Sequence, residues 1–335
     1  MKKIDYKLDC LRVLSMFLVI VIHVANYYCR AFSTISSLSY FGAVIFNALA
    51  RISVPIFFMI SGALLLSKEY DEKKNRQRIY KMIITLIIFT IVYLVWDIFY
   101  MKQTDINYIG LITSPERSML WFMYAIIALY IALPFIKILV DGMDFHLEKI
   151  FVTLWLILNG GLYILKLFVK LDINYLVPII SGTYYLGYFI VGYLIYKYKD
   201  KIAFKKYNVH FLIVLIISLL FTIGLTYANS ISRNMYYDNF LAYRSIFIML
   251  SSISSFILIY FNIADKKNNL ISFVSPYSFG VYLVHGILLN ILMDIFLYED
   301  IISFIGIPIC VIILAIISVL VVSLLKKIPL IKNYI

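Results

Sequence analysis

The chain has 335 residues, 63% of them hydrophobic and only 14% charged, with a net charge of +12. No soluble globular chain has this composition, and several apolar runs exceed the ~18 residues that a spanning helix needs. The basic excess would suggest a nucleic-acid partner in a soluble protein, but here most of the 30 Lys and Arg fall in alternate loops, the positive-inside pattern of a polytopic membrane protein.

Ten spans are expected, at about 8–28, 41–66, 80–101, 118–140, 150–170, 178–196, 210–227, 242–262, 275–297 and 302–325. The fold class is therefore all-α and polytopic, about ten transmembrane helices in one domain over 1–335. Both termini are expected in the cytoplasm, and no separate soluble domain is expected. Lys2, Lys3 and Lys7 precede the first span as in a signal peptide, but the apolar run is long and no small-residue cleavage site follows, so the helix reads as uncleaved. Cys10, Cys29 and Cys310 are an odd count without metal-like spacing.

The first span, LDCLRVLSMFLVIVIHVANYY, carries Arg12 and, eleven positions later, His23. Ionisable residues inside a bilayer are costly, and each is by default a hypothesis about function. Eleven steps of ~100° come to about three full turns and ~16 Å of rise, so both side chains share one face at different depths. The second span contains ARISVPIFFMISGALLL. It places Arg51 about ten residues, or ~15 Å, below the surface, where a guanidinium demands an anion, a polar cavity or carbonyls. Pro55 frees a nearby carbonyl and permits a kink toward such a cavity. Ser61 and Gly62 read as a close helix contact.

Later spans hold fewer signals. Trp121 and Tyr124 open the fourth span as interface anchors. Asn159, Gly160 and Gly161 in the fifth, and Ser181, Gly182 and Thr183 in the sixth, suit helix packing or a polar lining. The loop at 228–241, with Arg233, Asn234, Tyr236, Tyr237 and Asp238, mixes polar and aromatic residues. An interfacial belt accounts for that mixture first, although a sugar site would share it. The ninth span, SPYSFGVYLVHGILL, brings His285 to a depth of ~15 Å, comparable with ~22 Å for His23. His146, in a cytoplasmic loop, and His210, at a span start, suggest nothing.

Four pieces taken together resemble the acyltransferase 3 family, integral membrane acyltransferases that modify bacterial surface polysaccharides, lipids and related acceptors. They are LDCLRVLSMFLVIVIHV with its Arg-x10-His spacing, RISVPIFFMISG, LWFMYAIIALYIALP and YSFGVYLVHGILL, which run in the family's order through most of the chain. Cys10 stands where many members carry Gly, and the soluble esterase-like domain of some members is missing. The resemblance implies an acyl-CoA donor, acetyl-CoA first, reached from the cytoplasm, and an acceptor hydroxyl on a surface polysaccharide or its lipid-linked precursor. It implies a multi-pass protein of the bacterial plasma membrane, with no metal and no nucleic acid. By the same resemblance Arg12 and His23 are essential and Arg51 and His285 belong to the site.

The residues suit those roles. An imidazole titrating near neutrality is a fitting base for a hydroxyl, so His23 is the candidate base. Arg51 can stabilise an oxyanion, with His285 as donor or as the group that orients the base. Arg12, Lys73, Lys74 and Arg76 are expected to hold the phosphates of the donor. An exporter of surface polysaccharide that performs no acyl transfer is the alternative that the same intramembrane charges allow.

Overall fold

The computed structural model describes residues 5–103, 118–169, 184–264, 267–296, 298–329 and 331–335. Among these the regular structure is entirely helical: α1 (Tyr6–Arg30), α2 (Ser37–Ala50), α3 (Ser53–Leu65), α4 (Glu72–Phe99), α5 (Trp121–Asp141), α6 (Phe145–Trp155), α7 (Leu162–Val169), α8 (Tyr184–Lys197), α9 (Asn208–Arg233), α10 (Ile246–Asn262), α11 (Asn269–Val274), α12 (Ser278–Ile295) and α13 (Ser303–Leu325). Nine helical segments among the described residues are long and apolar enough to cross a bilayer. The expected sixth span is represented by α8; Ser181, Gly182 and Thr183 lie outside the described residues, as do Lys2 and Lys3.

Local chemistry sets the helix starts. Asp5, Ser36, Asp71 and Asp144 each cap a helix by accepting a backbone N–H of its first turn. Asn234 ends α9 with φ 51, the left-handed conformation that asparagine tolerates. The expected second span is two helices joined end to end, α2 and α3, with the break at Arg51 and Ile52. Pro55 explains the position, because a proline ring collides with the carbonyl four residues earlier, here that of Arg51. The expected fifth span is interrupted by a π-turn at Leu156–Gly161 between α6 and α7.

The core of the bundle is apolar, but the contact of α9 with α10 buries polar residues and turns apolar ones outward. The outer face of α9 is an apolar stripe, with Leu212, Ile213, Ile216, Ile217 and Leu220 exposed. Its inner face is Ser218, Thr222, Thr226 and Ser230 at four-residue intervals, all buried. α10, which packs against α9, buries Ser251, Ser252, Ser254 and Ser255. Lipid tails are as apolar as Leu, so helices associate through small residues that allow close approach. The extreme case is α3 on α8, where a Cβ added at Gly62 would overlap the Phe189 carbonyl and one at Gly192 the backbone of Met59.

One side of the bundle is tied together by polar contacts. Tyr260 at the end of α10 donates to Asp5 (2.8 Å), the Asn268 amide to Tyr6 (3.0 Å), and Lys326 after α13 to the Pro276 carbonyl (2.6 Å). Lys137, within the fourth span, reaches the Leu66 carbonyl (3.0 Å) and Asp141 (2.7 Å) on the same side. Buried Glu148 accepts from Lys197 and from Tyr198 (2.7 Å), joining α6 to α8; the hydrogen bond to this carboxylate pushes the Tyr198 hydroxyl pKa up. We call this the basic side.

The glycine seam sets a first expectation. Gly62→Ala forces two backbones apart and should cost about 1–3 kcal/mol, the usual penalty of overpacking, seen as a lower midpoint of thermal unfolding in detergent. Gly224→Ala, with no atom within 4 Å of the new Cβ, should leave the midpoint unchanged or raise it.

Candidate active site

A cavity of about 560 Å³ lies among α1, α3, α4, α5 and α12 and holds three of the four expected catalytic residues, Arg12, His23 and Arg51, on its wall. Arg12 and His23 both face it, as their spacing on α1 predicts, and Arg51 faces it from the break between α2 and α3. At the basic side the wall is cationic, with Arg12, Arg78 and Lys81. At the other end it is formed by Arg51, Asp238, Trp121 and Tyr243. His23 stands between, one of few ionisable groups in an otherwise apolar and aromatic middle.

Arg12 is anchored. Its guanidinium pairs with Asp9, one turn earlier on α1, and also donates to the Ser275 hydroxyl (3.2 Å), which in turn donates to Asp9 (2.8 Å). α1 is thereby fixed to the segment that opens α12, while part of the guanidinium remains on the cavity wall.

His285 is fully buried and sits behind His23 instead of on the wall. The two rings are 5.0 Å apart between centroids, with planes at 48°. Its Nδ1 lies 2.7 Å from the Tyr282 carbonyl and 3.2 Å from that of Val281. A carbonyl only accepts, so Nδ1 carries the proton and the neutral ring leaves Nε2 as a bare acceptor. Nε2 is buried and has no hydrogen-bond partner.

Arg51 is held by a network that the sequence reading missed. Its Nε donates to Asn47 Oδ1 (2.9 Å), one turn back on α2. That contact orients the Asn47 amide, whose Nδ2 then donates to Asn26 Oδ1 (2.7 Å) and to the Tyr236 hydroxyl (3.3 Å). Tyr236 also donates to Asn26 (3.3 Å). Burial pushes the Tyr236 hydroxyl well above the ordinary tyrosine range, so it stays protonated. The guanidinium further lies 5.6 Å from the Tyr243 ring centre. Asn26 follows His23 by three residues, ~4.5 Å along α1, so the network brings Arg51 to the level just beyond the imidazole. A usable signal existed: Asn26 and Asn47 sit at helical spacing from His23 and Arg51, and a buried amide in lipid needs partners as an imidazole does.

Other expectations are redistributed. Lys73, Lys74 and Arg76 are exposed and do not line the cavity; Arg78 and Lys81, further along α4, do. Trp121, expected as an interface anchor, instead stacks on Tyr185 (5.1 Å between centroids, 26° between planes) and faces the cavity. Residues of the 228–241 loop, read first as an aromatic belt, close the end of the site through Tyr236 and Asp238. Ser61 reaches the wall while bonded to the Phe57 carbonyl (2.9 Å). Asn159 is buried in the π-turn, and Gly160 there abuts Ile246 and Met249 of α10, so this group is packing and not lining. His146 and His210 are exposed. The three cysteines are buried and free. Among the described residues no three His, Cys, Asp or Glu side chains converge as a metal site would require.

Compared with known proteins, residues 5–327 match the family model of the acyltransferase domain known as acyltransferase 3, nearly the whole chain. No curated protein and no solved structure matches it.

Asn47 is the junction of the network and gives a second expectation. Asn47→Ala leaves the Arg51 Nε without its acceptor and takes from the Asn26 carbonyl one of its two donors, Tyr236 remaining, and should cost about 1–3 kcal/mol in thermal unfolding. In an Arg51→Met background the same substitution should cost less, because the partner is already gone. Equal costs in both backgrounds would show that Asn47 does not hold the guanidinium.

Proposed function

The chain belongs to the acyltransferase 3 family, and from that premise we propose that this membrane acyltransferase moves an acyl group, acetyl first, from acyl-CoA to a hydroxyl of a cell-surface glycan or its lipid-linked precursor. The observation that carries the reading is the single cavity that sets His23 between a cationic end and an aromatic end closed by Arg51. By the positive-inside pattern the basic side faces the cytoplasm, where CoA thioesters are made.

The donor fits by length. From the phosphate of CoA to its sulfur runs a chain of thirteen bonds, which at the ~1.2 Å of reach per bond of an extended peptide spans ~16 Å. Arg12 and His23 are eleven residues apart, also ~16 Å. Phosphates held at Arg12, Arg78 and Lys81 therefore put the thioester carbonyl at the level of the imidazole.

The chemistry follows from the side chains. A neutral His23 takes the proton of the acceptor hydroxyl as its oxygen attacks the thioester carbon. The bare Nε2 of His285 accepts an N–H from His23, which fixes the tautomer that turns a free lone pair toward the cavity and supports the imidazolium that forms. That contact closes when the substrates fill the site, as catalytic hydrogen bonds often tighten only then. Arg51, with Nε pinned by Asn47, presents its remaining N–H groups to the oxyanion of the tetrahedral intermediate. Collapse of that intermediate expels the CoA thiolate, which takes up a proton. At the acceptor end Trp121 and Tyr243 offer ring faces, with Arg51 and Asp238 for hydroxyls, a combination suited to a sugar.

Release of free CoA thiol from acetyl-CoA, by purified protein given surface glycan of its host, tests the reading. His23→Ala should lower kcat by about 10²–10⁴-fold, the usual contribution of a general base. His285→Ala should lower kcat by a smaller factor and leave the KM for acetyl-CoA unchanged, since the ring orients His23 and touches no donor. No thiol release, with acetyl-CoA also failing to bind, would overturn the acyltransferase reading and leave the cavity as a glycan export path.

A further inference from the structure

A second, shallower groove of about 340 Å³ lies on the basic side between the end of α3, the start of α4 and α5. It adjoins the main cavity, since Leu65 and Arg78 line both. Its wall carries four cations, Lys68, Lys74, Arg78 and Lys137, against two carboxylates, Glu69 and Asp71. It also carries one aromatic ring, Tyr70, which is 39% exposed although it lines a pocket. None of these side chains has a part in the chemistry at His23.

Cations gathered round an exposed ring are what a nucleotide recognises, the phosphates through charge-assisted hydrogen bonds and the base by stacking. The cations are not idle. Lys74 pairs with Asp71, whose carboxyl it holds below the usual range, and Lys137 reaches Asp141 and the Leu66 carbonyl. The Lys74–Asp71 pair is exposed and contributes little, so a phosphate can draw that ammonium group to itself at small cost. The shared Arg78 stands where a ligand would pass from the groove into the cavity.

We infer that this groove is a separate subsite for the adenosine 3′,5′-bisphosphate end of the donor, with the adenine on Tyr70, the 3′-phosphate at Lys74 and Lys68, and the diphosphate at Arg78. The inference rests on the acyl-CoA reading for its biological ligand, but the groove itself is testable alone. It makes the enzyme selective for CoA thioesters over donors that share the pantetheine arm and lack the nucleotide. Of the expected phosphate ligands Arg12, Lys73, Lys74 and Arg76, Lys74 alone lines this groove, where Lys68 and Arg78 join it.

The test uses the full chain in detergent, with adenosine 3′,5′-bisphosphate as probe in titration calorimetry and acetyl-CoA and acetyl-dephospho-CoA in the thiol-release assay. Tyr70→Ala and Lys74→Gln should each weaken probe binding by about tenfold, the loss of one stacking or charge-assisted contact. Both should raise the KM for acetyl-CoA by a similar factor with kcat unchanged. Lys74→Gln should leave acetyl-dephospho-CoA unaffected, and Lys205→Gln on another basic loop should leave probe binding as it was. The inference falls if the wild type does not bind the probe, or if both variants bind it as tightly as the wild type. It also falls if inorganic phosphate or nanodiscs of phosphatidylglycerol displace the probe at equal concentration, which would make the groove a plain anion or lipid-headgroup site. Should the wild type release no thiol yet lose probe binding on Tyr70→Ala, the acyltransferase reading fails and the groove stands.

Discussion

In hydrocarbon a polar group without a partner costs several kcal/mol, and an unpaired charge costs more. Nearly every feature of this bundle answers that constraint. The guanidinium of Arg51 sits where two helices meet end to end, pinned at one nitrogen by Asn47 and set beside a ring. Asn47 is in turn completed by Asn26 and Tyr236. The serines and threonines of α9 and α10 turn inward, several returning their protons to carbonyls one turn back. What is left unsatisfied stands out for that reason. Among it is the Nε2 of His285, whose ring lies beside that of His23 on the cavity wall.

Much of this was legible in the residues, and the limits have physical causes. The shared face of Arg12 and His23 follows from helical geometry, because a straight helix preserves angular position over three turns. The break at Arg51 could be anticipated because proline acts on the carbonyl four residues before it, a local rule. The network around Arg51 was hidden because Asn26, Asn47 and Tyr236 belong to three distant parts of the chain, and only packing brings them together. Trp121 was misplaced for a related reason. A tryptophan at the end of an apolar run has the same sequence context whether it faces headgroups or a neighbouring helix, and its stacking on Tyr185 of α8 decides the matter. The basic run at the start of α4 was read as one block, whereas helical phase separates it. Lys73 and Arg76 point away, Lys74 lines the shallow groove, and Arg78 and Lys81 reach the cavity.

The same arrangement explains how one helix can serve both ends of the site. α1 contributes Arg12 at the basic side, His23 in the middle and Asn26 at the Arg51 network, all on one wall. Its other faces are buried against α2, α3, α12 and α13. It is therefore a rigid ruler, and the distance between charge anchor and imidazole is set by covalent geometry and not by loops.

The backbone contact of α3 with α8 has a mechanical corollary. With Gly62 and Gly192 each seated against the other helix's main chain, and Phe58 of α3 stacked on Tyr185 of α8, that seam is close-packed and leaves little room to slide or compress. α4 is the opposite case: among its 28 residues only Asn75, Thr85, Phe89, Tyr93 and Asp97 are buried. A cavity with one stiff wall and one compliant wall changes volume in a single direction. Any change in the volume of the cavity therefore falls first to α4, which carries Arg78, Lys81 and Met82, and last to the wall that bears Arg51.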